Sequence, residues 1–415
     1  MFKPYIIKEC AGSKIAFVGV TTPGTIHSST PAFFQNKAGK YIYGFMQDET
    51  GEKLYNAVQK AVDAARAEGA DLVYLIGHLG YYTADSPWTY SDVIEHTNGI
   101  DVVLDGHSHD TEQVEMKNKD GKKVTRSACG TKLNCIGYSH ISSEKQVVET
   151  GIWSWPNDTA APELLNIQNN ITTAVGDVMK QQEKQLGEVI AKSNVDLLIS
   201  DPTEEDTSGN PVRMVRRAET NLGDFCADAI RSATKADVAL IGGAGIRENL
   251  SKGEITYGDV INVEPFANQL CVIRATGQQI LDALEWGARM VPEEFGAFFQ
   301  VSGMRYEIDA GIPSGCKENK QGTMDKIKGK RRVKNVYIGD SPLDPDKIYT
   351  VSGADYWLLN NGDGITAFDR AEVVNDSVIL DSEAMINYIV DTLHGEIGDE
   401  YADPYGQERI TIVDK

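Results

Sequence analysis

Two short buried strands, each running straight into a glycine-histidine segment, constrain this chain most. Asp71-Leu72-Val73-Tyr74-Leu75-Ile76 is apolar on both faces and enters Gly77-His78-Leu79-Gly80. A second strand, Ile100 to Leu104, enters Asp105-Gly106-His107-Ser108-His109. A strand over Lys14–Val20 precedes them, closed by the turn Thr21-Thr22-Pro23-Gly24. Helices are predicted over 51–68, with Leu54, Val58, Ala61, Val62 and Ala65 on one face and Gly69 as the stop, and near 90–97. Strand–helix–strand at this spacing makes the strands parallel neighbours and puts both histidine segments at their carboxyl ends.

Composition then excludes several classes. The chain has 415 residues, enough for about two to four domains. Its 41% hydrophobic and 24% charged residues are those of a folded protein. With 40 Lys+Arg against 61 Asp+Glu the net charge is −21, which repels nucleic acid and leaves anionic ligands to local arginines. Six scattered cysteines without a CxxC pair form neither a disulfide framework nor a thiolate zinc site, and Cys129 and Cys135 read as two small strand residues. No run of about 18 apolar residues predicts a membrane span. Met1-Phe2-Lys3-Pro4 leads directly into the strand-like Tyr5-Ile6-Ile7 with no signal-peptide pattern, so an upstream portion is expected.

Further along, 111–155 reads as antiparallel, with a hairpin turn at Lys119-Asp120-Gly121-Lys122. Ala161 to Gln185 carries Leu164, Leu165, Ile167, Ile171, Val175 and Met179 in one stripe, which suits a helix connecting two domains. The expected division is 1–155, a connecting helix at 156–185, and a second mixed α/β domain at 186–415. In that domain Asn221 is placed as the cap of a helix, and Asp237–Ile241 as a strand entering Gly242-Gly243-Ala244-Gly245-Ile246-Arg247. Asp201–Asn210 is an acidic surface loop.

Three constellations carry candidate chemistry. His78, His107 and His109 are three of seven histidines, and neutral imidazoles gathered at a crevice are natural ligands of a divalent metal. The plain alternative is that strand-end histidines cap loops. Apart from these segments, no Asp-x-His pair and no Gly-Asn-His segment completes a two-metal centre. Gly242–Arg247 fails as a dinucleotide fingerprint, because Glu248 holds the third glycine position. It suits a loop that lets an arginine reach an anion, and Arg213, Arg216 and Arg217 form a second basic island. Solvated surface arginines are the alternative. Finally, Pro265-Phe266-Ala267-Asn268 and Trp357 with Asn360-Asn361-Gly362-Asp363-Gly364 offer two rings to sandwich a flat base and an aspartate for hydroxyls; otherwise these aromatics are core.

At these residues the chain resembles the two-domain 5'-nucleotidases and 2',3'-cyclic-nucleotide phosphodiesterases. The resemblance runs from Pro4–Lys8 and Ile15–Thr22 through the two histidine segments to Thr220-Asn221-Leu222-Gly223, Gly245-Ile246-Arg247, Pro265-Phe266 and Gly362-Asp363-Gly364. It implies a mixed α/β chain: an incomplete four-layer α/β/β/α metallophosphoesterase domain, and a C-terminal α/β domain that binds the nucleotide. Two divalent ions such as zinc or manganese are implied, with His78 and His107 serving one and His109 the other. Arg216 and Arg247 would hold the anionic groups, Phe266 and Trp357 would stack on the base, Asn268 would touch its edge, and Asp363 would bind the ribose.

The pattern departs in three places. The family's Asp-x-His and Gly-Asn-His-Glu/Asp segments are expected before Met1. With them go the bridging aspartate, the asparagine ligand and the catalytic histidine, so no residue here is assigned that last role. Trp357 stands where the family usually has Phe, and Asn361 replaces a glycine whose left-handed backbone Asn tolerates. The implied activity is metal-dependent hydrolysis of nucleoside monophosphates or cyclic nucleotides, at background in this chain alone. Rival readings are a non-catalytic nucleotide-binding module and half of a split enzyme that pairs with a separately encoded N-terminal half. The family is mostly exported.

Overall fold

The computed structural model describes residues 3–36, 38–82, 85–131, 133–154, 169–205 and 211–413. The chain divides into two compact units, Met1–Ile26 with Phe34–Gln168, and His27–Phe33 with Asn169–Lys415.

The first unit is built on one six-stranded sheet, from β1 (Tyr5–Cys10), β2 (Ser13–Thr21), β3 (Leu72–His78), β4 (Val102–Asp105), β5 (Thr111–Lys117) and β6 (Lys123–Cys129). Its order is β1-β2-β3-β4-β6-β5, with β2, β3, β4 and β6 mutually parallel. The sequence reads 111–155 as antiparallel. The structure keeps β5 antiparallel to β6, as the Asn118–Lys122 turn requires, but docks β6 parallel to β4. The hairpin β7 (Cys135–Ile141) with β8 (Val147–Ser154) is a separate two-stranded sheet.

Helix α1 (Glu52–Ala67) buries Leu54, Tyr55, Val58, Ala61, Val62 and Ala65. These pack with Ala16, Val18, Val73, Leu75 and Val103 of the sheet. Gly69, at φ 93°, ends it as expected. Helix α2 (Tyr90–His96) is opened by Thr89 and Asp92, which cap each other's backbone N–H groups. Cys129 and Cys135 keep free thiols, and Cys135 Sγ donates to the Cys129 carbonyl at 2.9 Å.

Beyond His27–Phe33, the second unit resumes with α3 (Asn170–Leu186), capped by Asn169. Residues 155–168, including the predicted stripe members Leu164, Leu165 and Ile167, lie outside the described residues. Ile171, Val175 and Met179 are exposed on α3. Helix α4 (Asn221–Thr234) follows, and its cap is Thr220, not Asn221: Thr220 Oγ1 accepts from Gly223 N at 3.0 Å. Asn221 is buried instead, bonding the Leu198 N–H and the Asp196 and Tyr401 carbonyls.

The central sheet combines β9 (Val238–Gly242), β10 (Leu270–Thr276), β11 (Phe299–Ser302), β12 (Ile348–Ala354) and β13 (Glu372–Asn375) in the order β11-β9-β12-β10-β13. Helix α4 and helix α5 (Gly277–Gly287) share one core with it, around Phe225, Leu240, Ile273, Leu284 and Trp286. Helix α6 is Asp381–Asn387. Among the described residues no helix is long and apolar enough to cross a membrane.

Candidate functional site

In the first unit the parallel register aligns Thr21 with His78 and Ile76 with Leu104, so β2, β3 and β4 finish at one edge. There His78 Nε2 and His107 Nδ1 lie 3.2 Å apart, with ring centroids at 4.9 Å. His107 adopts φ 78°, a left-handed conformation costly for a side chain of its size, so the surrounding loop must impose it. Gly80 makes room: a Cβ there would stand 2.6 Å from Ser108 Oγ and 2.8 Å from the His107 ring.

The other face of His107 meets an acid that sequence reading did not identify. Asp85 Oδ2 sits 3.2 Å from His107 Nε2. A carboxylate accepts there, which puts the ring proton on Nε2 and leaves the Nδ1 lone pair facing His78. Burial and the neighbouring His107 lower the pKa of His78, against the pull of Asp105. Neutral His78 is the form that ligates metal.

Asp105 with His107 forms an Asp-x-His sequence, but the structure gives Asp105 another task. Its carboxylate accepts the backbone N–H of Leu79 at 2.9 Å and of Gly80 at 3.1 Å, fixing the loop after His78. Arg126, fully buried, bonds Asp105 at 3.0 Å and also pairs with Asp110. His109 is exposed at φ 59°. No group of three or more metal-ligating side chains forms among the described residues. The two converging imidazoles therefore fit two coordination positions of a divalent transition metal and supply no carboxylate.

In the second unit, strand β9 delivers Gly242–Arg247 to the sheet's edge. Gly243 lies so close to Val215 and Arg216 that any Cβ would strike the Val215 carbonyl. Of the basic island, Arg213 pairs with Glu294 and Arg217 meets Glu204 at 3.5 Å, so both are ordinary surface ion pairs. Arg216 is the member whose charge acts on Asp363. Arg247 Nη1 donates to the Ala244 carbonyl at 3.3 Å, and its guanidinium carbon lies 5.7 Å from the centre of the Phe266 ring. Phe266 is 56% exposed, a large apolar ring left open to solvent. Two residues on, Asn268 is tied to Asp381.

Trp357 requires a correction. Its expected role as a stacking face fails on burial: it is 3% exposed, packed edge-on to Phe299 and Tyr356, and any Cβ on Gly242 would strike its ring. Its indole Nε1 instead donates to Asp363 Oδ2 at 2.9 Å. Asp363 is itself buried at φ 51°, and burial raises its pKa against the pull of Trp357, Arg216, Arg289 and Tyr356. Trp286 Nε1 donates to the Asp363 carbonyl at 3.0 Å. Asn361 takes φ 59°, the left-handed angle expected of it.

Two further residues had no sequence signal. Arg289 is sandwiched 3.7 Å from the Trp286 and Phe295 rings, and burial lowers its pKa to about 10. Glu264 is buried with neither carboxylate oxygen hydrogen-bonded, and its pKa is pushed well up by burial and Asp381, with Arg247 opposing.

Residues 180–370 match the family model described as 5'-nucleotidase, C-terminal domain. The trifunctional nucleotide phosphoesterase protein YfkN of Bacillus subtilis is 28% identical over 396 residues, covering 92% of this chain and 24% of that protein. A 5'-nucleotidase of Vibrio parahaemolyticus is 26% identical over 423 residues, covering 94% of this chain and 68% of that protein. The chain thus spans a quarter of the first relative's length and about two thirds of the second's. In fold it is similar to the crystal structure of a 5'-nucleotidase precursor from Thermus thermophilus, with a TM-score of 0.74 at 24% identity, covering 99% of this chain and 75% of that one. The 180–370 segment thus matches the 5'-nucleotidase C-terminal domain, and over nearly its whole length the chain is similar to 5'-nucleotidases.

Proposed function

We propose that this chain serves nucleotide phosphoester hydrolysis, its second unit binding a nucleoside monophosphate and its first supplying part of a divalent-metal centre. The observation that carries this is the convergence of His78 Nε2 and His107 Nδ1 at 3.2 Å, in a chain whose 180–370 segment matches the nucleotidase C-terminal domain. A zinc- or manganese-type ion held there supplies Lewis-acid neutralisation of phosphoryl oxygens. Asp85 holds the His107 tautomer, and Asp105 with Arg126 holds the loop that carries His78. Arg216 and Arg247 are the cations for the phosphate, since guanidinium groups bind its oxygens pairwise. Phe266 is the platform for the base.

A second reading, a nucleotide-binding module without catalysis, is favoured by one fact: Arg216, Arg247, Phe266, Asn268 and Asp363 all belong to the second unit. Metal binding separates the readings. Under the hydrolytic reading, zinc titrated into purified apo-protein binds weakly, and Asp85→Ala weakens it by about 10- to 100-fold. The binding module predicts no zinc effect of Asp85→Ala. Two tightly held metals per chain by elemental analysis would show that further ligands complete the centre.

A further inference from the structure

We propose that Cys129 and Cys135 form a thiol–disulfide exchange site, which a low-molecular-weight disulfide converts into an internal bridge. Cys129 ends β6 and Cys135 opens β7. Cys129 pairs in register with Thr111 of β5 and Cys135 with Ser154 of β8, so the two sit where the six-stranded sheet meets the separate hairpin. Each thiol points towards the other's strand. Cys135 Sγ lies 2.9 Å from the Cys129 carbonyl oxygen, and a Cβ on Gly130 would stand 4.0 Å from it. Cys129 Sγ lies over Gly137, where a Cβ would come within 2.7 Å of the sulfur. Three of the other thiols point elsewhere: Cys226 to Met385 Sδ, Cys271 to the Gly353 carbonyl and Cys316 to the Glu285 carbonyl.

Burial, then the charge of the neighbouring Cys135 thiol, raise the pKa of Cys129 against hydrogen bonds from Ser127 and Gly137. Two thiolates side by side are costly, whereas a disulfide carries no charge. Cys129 is half-buried and Cys135 only 7% exposed, so an incoming disulfide R–S–S–R reaches Cys129 first. The Cys129 thiolate attacks one sulfur, breaking the S–S bond to leave a mixed disulfide and one RS⁻, which takes the proton Cys129 gave up. The Cys135 thiolate then attacks the Cys129 sulfur, closing the bridge and expelling the second RS⁻, which takes the Cys135 proton. Two protein thiols are oxidised and the reagent is reduced to two RSH. The bridge closes the short loop between β6 and β7. It thereby tethers the hairpin, a two-stranded sheet of marginal stability by itself, to the larger sheet.

The test incubates the reduced full chain with oxidised glutathione at about pH 8.5, quenches in acid, alkylates the remaining thiols and maps the tryptic peptides. Trypsin cuts after Arg126, Lys132 and Lys145, so the bridge appears as Ser127–Lys132 joined to Leu133–Lys145. The bridged protein should melt about 3–8 °C above the reduced one, and dithiothreitol should reverse both changes. In Cys135→Ala the second attack is lost, so glutathione should stay on Cys129 as a stable adduct. If this variant does not fold, the wild-type peptide map carries the test. Both thiols still free after oxidation, glutathione retained on Cys129 of the wild type, or either cysteine joined to a different one would overturn the proposal.

Discussion

Replacing Arg126 by methionine should cost the first unit about 3–5 kcal/mol of stability, read as a lower urea midpoint at unchanged m. The side chains of Arg126 and Asp105 are both wholly inaccessible to solvent, and Asp110 is nearly so. Removing the guanidinium leaves the Asp105 carboxylate buried with only the N–H groups of Leu79 and Gly80 as donors. The Arg126 guanidinium carbon also lies 4.4 Å from the centre of the Tyr90 ring, a contact that methionine replaces only in part. Because Asp105 holds the loop after His78, zinc affinity should fall together with stability. A loss under about 1 kcal/mol would mean that the arginine is not the counter-charge that the geometry makes it.

The second large effect has the opposite sign. Glu264→Leu should stabilise the protein at pH 8 by about 1–4 kcal/mol, as replacing buried ionic groups with apolar ones often does. Neither Glu264 oxygen has a hydrogen-bond partner, and the side chain is 2% exposed. Its folded pKa lies well above the unfolded value, burial being the largest cause. Stability from such a group is present in full below the unfolded pKa of about 4.3 and is lost as pH rises through the folded value. The gain from Glu264→Leu should therefore be small near pH 4 and grow towards pH 8. Asp224, pushed up to about 9 by burial, slopes the same way in both proteins and cancels in the comparison. Thermal melts across that range give the answer. A pH-independent difference would mean that Glu264 titrates alike in the folded and unfolded protein, a donor reaching its carboxylate.

The parts of this molecule legible in the sequence are those written in local pattern. Strand β3 is apolar on both faces and is separated from β4 by a helix-length segment, which makes them parallel and sets His78 and His107 at one edge. Helix α1 announced itself by spacing and by Gly69. What escaped depends on partners far apart in the chain. Asp381 meets Asn268 across 113 residues, Arg126 meets Asp105 across 21, and Asp85 reaches His107 across 22, none with a periodic signature. Trp357 shows a different limit. It stands where the resembling family has a stacking Phe, but an indole that bonds Asp363 from the core and one that stacks on a base leave the same trace in sequence. Its burial against Phe299, Tyr356 and Gly242 decides for the core. Thr220 and Asn221 are both good caps, and burial among the Leu198, Asp196 and Tyr401 backbone groups assigns Asn221 elsewhere.

Titration of AMP into the full chain, wild type against Phe266→Ala, bears most directly on the claim that the second unit is a nucleotide site. Phe266 is exposed and lies beside Arg247, so its loss removes stacking without opening a core cavity. At about 1–3 kcal/mol for a base on an aromatic ring, affinity should fall roughly 5- to 150-fold while the melting temperature holds. An unchanged AMP affinity in Phe266→Ala, or no binding by the wild type, would contradict the account.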